Sequence, residues 1–118
     1  MTLDEYFEGW PESRRLFDAL ARMIEDLGPA DLRVTKSQVA FRLKHPFAWA
    51  WIPEQCLRRP AAPLVLTLPF RSRDPSSRWK QIVEAAPGRF THHLELHGEA
   101  DLDREVRDWV RSARRNAG

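Results

Sequence analysis

The sequence predicts an α+β fold. We expect a two-layer sandwich, with N-terminal helices and a C-terminal helix packed on one face of a 4–5-stranded, mostly antiparallel sheet. Three observations carry this expectation. Apolar residues recur at helical spacing up to Leu27, the period drops to two between residues 38 and 96, and helical spacing returns after Asp101.

Thr2 and Glu5 form a T-x-x-E capping box, and Leu3, Tyr6, Phe7 and Trp10 follow at helical spacing. Pro11 suits the first turn of a second helix, where its missing N–H is not needed. Leu16, Leu20, Met23, Ile24 and Leu27 make an apolar stripe with Phe17 beside it. Gly28 caps this helix and Pro29 prevents its continuation. In 38–45, Val39, Phe41 and Leu43 alternate with Gln38, Ala40, Arg42 and Lys44, which reads as a strand. Pro46 turns the chain into a second strand over 47–52. Residues 53–62, with Arg58, Arg59 and two prolines, read as an exposed loop. Along 63–70, Leu64, Leu66, Leu68 and Phe70 all point one way. A polar loop with a D-P-S-S turn follows over 71–77. Residues 79–84 and 90–96 read as strands paired around Ala85-Ala86-Pro87-Gly88, with a helix over 79–86 as the other reading. From Asp101, Leu102, Val106, Trp109, Val110 and Ala113 recur at steps of three and four. Asp103 and Arg107 add an i,i+4 charge pair, so a helix closes the chain.

A length of 118 residues suits one domain over 1–118, and 42% hydrophobic with 31% charged residues excludes a disordered chain. Cys56 is the only cysteine, which excludes an internal disulfide and fits a reducing compartment. No run approaches the roughly 18–20 apolar residues of a membrane span. The acidic start, Met1-Thr2-Leu3-Asp4-Glu5, lacks the order of a secretory signal. A cytoplasmic protein with no membrane contact is therefore expected. The net charge of +2 permits anionic partners without demanding them.

Three groups of residues are candidates for function. Arg71, Arg73, Arg78, Lys80 and Arg89 form a basic cluster, and pairing of the two later strands would bring Lys80 and Arg89 near each other. Converging guanidinium groups suit phosphate or carboxylate, because their fork makes paired charge-assisted bonds. Read against that is a solvated arginine-rich loop. Lys36, at the turn before a strand, joins the site or pairs with Asp31. The second group is aromatic. Phe47, Trp49 and Trp51 alternate with Ala48, Ala50 and Ile52. If the aromatic face lies under the helices it is core; if the alanine face does, the rings stand on the open side, where they could stack on a base, a ligand or a partner chain. The third group is histidine. His92 and His93 point to opposite faces, so they cannot share a metal ion. His92 falls on the apolar face and reads as a hydrogen-bonded, semi-buried residue. His93, Glu95 and His97 share the other face, either as an exposed polar surface or with two of them reaching one metal, and His93 is an acid–base or anion-contact candidate. Cys56 beside Arg58 and Arg59 reads as an incidental thiol. No phosphate loop, dinucleotide fingerprint, nucleophile elbow or zinc-finger spacing is present.

The chain resembles the family of domains of unknown function numbered 5655. The likeness is carried by Thr35-Lys36-Ser37-Gln38-Val39-Ala40-Phe41, Phe47-Ala48-Trp49-Ala50-Trp51, Arg78-Trp79-Lys80, Pro87-Gly88-Arg89-Phe90-Thr91-His92-His93, and Asp101-Leu102-Asp103 with Trp109. More distantly it is similar to small iron-chaperone-like α+β domains of frataxin-like shape. The resemblance implies a fold and a cytoplasmic setting, and joined nuclease-like domains in relatives point faintly to nucleic-acid biology. It brings no catalytic residues. Iron handling in frataxin-like proteins uses a carboxylate-rich surface. Here Glu12, Asp18, Glu25 and Asp26 are balanced by Arg14, Arg15 and Arg22.

The leading expectation is a non-catalytic binding module for an anionic ligand, nucleic acid or a phosphorylated or carboxylated small molecule. It would use the open sheet face through Lys36, Trp49, Trp51, Arg78, Lys80, Arg89 and His93. No metal or cofactor is implied. The alternatives are an interaction domain that homodimerises through the same face, and a small enzyme centred on His93, Glu95 and Arg89.

Overall fold

The computed structural model describes residues 1–53 and 62–117; Cys56, Arg58 and Arg59 lie outside them. The capping box forms with the Thr2 N–H donating to Glu5 Oε1 at 2.9 Å and the Glu5 N–H to Thr2 Oγ1 at 3.1 Å. It starts α1 (Leu3–Tyr6). Pro11 is the first residue of α2 (Pro11–Leu27), which buries Leu16, Phe17, Leu20 and Ile24 along one face. The helix stops at Gly28, whose φ of 142° suits only glycine; an added Cβ would meet the Arg114 guanidinium at 2.5 Å.

Six strands follow, β1 (Asp31–Val34), β2 (Val39–Arg42), β3 (Pro46–Trp51), β4 (Leu64–Phe70), β5 (Gln81–Ala86) and β6 (Arg89–Leu96). The last element is α3 (Arg104–Arg115). The strands form one sheet in the order β1-β2-β3-β4-β6-β5, with every neighbouring pair antiparallel. Between β5 and β6, Ala86 pairs with Arg89 across Pro87-Gly88. Gly88 at φ 72° gives the positive angle that the second central residue of a type II turn needs.

The sheet is thus one strand wider than the upper expectation. The unforeseen strand is β1, four residues whose Asp31, Leu32 and Arg33 are exposed at the sheet edge. So short and charged an edge strand shows no alternation to read. β2 also ends at Arg42, short of residue 45.

The core lies between the helices and one sheet face. Pairing places Val39, Ala50, Leu66 and Leu94 in one row across that face, beside Phe41 and Ala48. Val106, Val110 and Ala113 of α3 pack there. Alanines at 48 and 50 leave room for α3 to approach β3. Tyr6, Phe7, Phe17 and Phe41 form a run of ring contacts 4.8–5.8 Å apart that joins α1 and α2 to β2. The Tyr6 hydroxyl accepts from the Ile52 N–H and donates to the Ser37 carbonyl, and the buried Ser13 hydroxyl donates to the Pro63 carbonyl at 2.6 Å. No helix among the described residues is long and apolar enough to cross a membrane.

Candidate ligand-binding face

The alanine face of β3, not its tryptophan face, lies under the helices. Cα pairing carries one row across all six strands on the opposite side: Arg33, Ala40, Trp49, Thr67, His93 and Gln81. The neighbouring row holds Trp51, Val65 and Glu95. Both indoles are half-buried. Phe47 departs from the expected grouping. Phe41 pairs with Ala48 and Arg42 with Pro46, so Phe47 has no partner on β2. This bulge lets Phe47 turn into the core, where it is fully buried.

A hollow of about 480 Å³ opens on this face between Trp49, Trp51, Thr67, Thr91 and His93, walled by Ser37 and Gln38 of the β1–β2 turn. The Trp51 Nε1–H donates to Thr67 Oγ1 at 2.9 Å, and Thr67 Oγ1 lies 2.8 Å from His93 Nδ1. The indole occupies one acceptor site of the Thr67 hydroxyl, which leaves it a proton to donate to a bare Nδ1 and a second lone pair to accept from Nδ1–H. In the first tautomer the ring proton of His93 is on Nε2, and in the second Nε2 is an acceptor. Burial, and after it the neighbouring His92, holds the His93 imidazole below its usual pKa and so favours the neutral form.

A second hollow of about 570 Å³ shares Trp49 and is lined by His45, Pro69, Arg71, Arg89 and Asn116, among others. Neither Arg71 nor Arg89 forms an ion pair with a described residue. Indoles, a neutral imidazole and guanidinium groups without a described ion-pair partner therefore border one surface.

Residues 3–115 match the family described as a domain of unknown function, DUF5655. The chain belongs to the DUF5655 family. No curated protein and no solved structure matches it, and the likeness to frataxin-shaped domains gains no support. Within this DUF5655 domain the expected site residues divide. Trp49, Trp51, His93 and Arg89 share the open face. Lys36 stands exposed beside Ser37 in the turn that walls the first hollow, and makes no ion pair with Asp31.

Arg78 is elsewhere. Its Nη1 donates to Glu105 at 2.8 Å and to Asp103 at 3.0 Å, its Nη2 donates to the Asp101 carbonyl, and its guanidinium lies over the Trp109 ring. Glu105 first, and Asp103 after it, hold this guanidinium above its usual pKa. It ties the 71–80 segment to the start of α3. Lys80 is not Arg89's neighbour either. Its N–H donates to the His93 carbonyl, so the two residues stand at opposite ends of the β5–β6 hairpin. Arg73 lies over the Phe90 ring at 5.2 Å.

Sequence reasoning missed Arg33, which joins this face through β1, a strand too short to show alternation. Arg71 was read only as part of the basic cluster, and its place beside Arg89 follows from strand pairing. His93, Glu95 and Arg89 share no hollow: His93 lines the first, Arg89 the second, and Glu95 neither. His97 lies beyond β6, and among the described residues no group of three or more His, Cys, Asp or Glu is placed to hold a metal.

On the helix side His92 is fully buried. Its Nε2 accepts from the Asp74 N–H at 3.0 Å and its Nδ1 stands 3.1 Å from the Phe90 carbonyl, which fixes a neutral ring with the proton on Nδ1. Burial pushes its pKa below the usual 6.5 against the hydrogen bond to Phe90. Both lowered histidines bind fewer protons folded than unfolded, so their contribution is complete above about pH 6.5 and is lost as pH falls through the folded values. Urea unfolding is expected to show stability declining below about pH 6.5. His92→Gln, which keeps an acceptor but does not titrate, should flatten that decline. An unchanged slope in the variant would show that His92 is not its source.

Proposed function

We propose that this DUF5655 domain is a non-catalytic binding module whose open sheet face takes an anionic ligand carrying planar rings. Single-stranded nucleic acid is the ligand class that uses the whole face. The observation that supports this reading is the hollow formed by Trp49, Trp51 and His93, with cationic side chains on both flanks. Arg33 and Arg42 lie on the β1–β2 side, Lys36 in the adjoining turn, and Arg89 at the far end. Unstacked bases pack on exposed aromatic side chains of a sheet, while cations follow the phosphates. A duplex hides its base faces and fits this surface poorly. A second copy of the chain is also a poorer fit, because Arg33, Arg42 and Arg89 outnumber Asp31 and Glu95 on the face that would be brought together.

The test is anisotropy of labelled single-stranded and duplex DNA and RNA at low and raised salt. Single strands are expected to bind more tightly than duplexes, with log K falling linearly against log salt as counterions are released. No binding at the lowest salt, or a preference for duplex, would remove the reading.

A further inference from the structure

The five cations singled out between residues 71 and 89 do not act together in the fold. Arg78 is engaged by Asp103 and Glu105, Arg73 lies over Phe90, and Lys80 stands at the far end of the hairpin. Arg71 and Arg89 alone converge. The pairing of β4 with β6 ends at Phe70 opposite Phe90; Arg71 follows Phe70 just past the end of β4, and Arg89 precedes Phe90 as the first residue of β6. Both are exposed, both line the same 570 Å³ hollow, and no described carboxylate pairs with either. Like charges that border one hollow repel each other. An anion between them reverses that sign, and two guanidinium forks supply the directed donors that phosphate oxygens take. The C-terminal end of α3 also borders the hollow, but its partial negative charge is about half a unit and Arg114 and Arg115 stand in its last turn.

Trp49 is the wall common to this hollow and the Trp51–His93 hollow. The geometry points to a phosphate subsite at Arg71 and Arg89, placed to hold the phosphate of a nucleotide unit whose base lies against Trp49 and Trp51. This deepens, and rests on, the reading of the open face as a binding surface. The shared chemistry is a phosphate joined to a planar base, from a free nucleotide or from a strand.

Calorimetric titration of the whole chain with AMP, adenosine and a short oligothymidine tests it, using wild type, the double variant Arg71→Gln/Arg89→Gln, and Trp51→Ala. Tighter wild-type binding of AMP than of adenosine is expected, with a loss of at least about tenfold for AMP in the double variant and none for adenosine, since hydrogen bonds between charged partners are the strong ones and adenosine has no phosphate to make them. AMP binding in wild type identifies a free nucleotide as a sufficient source. Binding of oligothymidine alone, again weakened in the double variant, identifies a strand. Oligothymidine or AMP affinity unchanged by the double variant but lowered by Trp51→Ala would overturn the subsite and leave the face standing. Absence of binding by all three probes would overturn both.

Discussion

Trp79→Ala is expected to lower stability by about 3–5 kcal/mol, which places it among the most damaging single substitutions in this fold. Trp79 is 8% exposed and sits at the centre of an aromatic group. Its ring lies 4.2 Å from Trp109, 4.9 Å from His92 and 6.2 Å from Phe70, centroid to centroid. Its Nε1–H donates to Asp74 Oδ2 at 2.9 Å, and the Asp74 N–H in turn donates to His92. Truncation opens a cavity, removes three ring contacts of about 0.5–1.5 kcal/mol each beyond area burial, and leaves the Asp74 carboxylate without the indole. Urea unfolding measures the loss, and Trp79→Phe should recover part of it. A loss below about 1 kcal/mol would mean that this group does not hold the 71–80 segment to α3. Trp79 faces the helices, so at temperatures where the variant is folded the open face should bind as in wild type.

The joint substitution Trp49→Ala/Trp51→Ala is expected to weaken single-strand binding at least about 30-fold. Base stacking on an aromatic side chain contributes roughly 1–3 kcal/mol per base, and the loss of two such platforms at the low end gives that factor. Both indoles are half-buried, and Trp51 also donates to Thr67, so some stability is lost as well. Circular dichroism and an unfolding curve separate the two effects. The Trp49→Phe/Trp51→Phe variant keeps two ring faces and should retain most of the affinity, which general destabilisation would not do. Equal binding by the alanine variant and wild type would place the ligand away from this face.

Much of the architecture was legible along the chain because its signals are local. The Thr2–Glu5 box, Pro11 at a helix start, the Gly28 stop, the leucine face of β4 and the Pro87-Gly88 turn each depend on residues within a few positions of one another. His92 could be assigned to the apolar side from alternation alone. The functional surface was less legible because it is assembled by pairing. Alternation grouped Phe47 with Trp49 and Trp51, but the bulge that separates them exists only where β2 lies alongside β3. Which face of β3 meets the helices depends on α3, some sixty residues later, needing small side chains beneath it. Arg78 resembled a free cation in sequence, yet its partners Asp103 and Glu105 lie 25 and 27 residues away. Arg71 and Arg89 become neighbours through strand pairing, a relation their own flanking residues do not encode.

The unpartnered Phe47 also bears on how the β2–β3 connection can change in length. As the one extra residue of a bulge it already absorbs an odd count, so a single-residue change there can be taken up without turning the strand over. A one-residue slip of β3 against both its neighbours is different, because it exchanges the indoles for the alanines. Such a slip would push two tryptophans into the space α3 occupies and leave a bare alanine stripe facing outward.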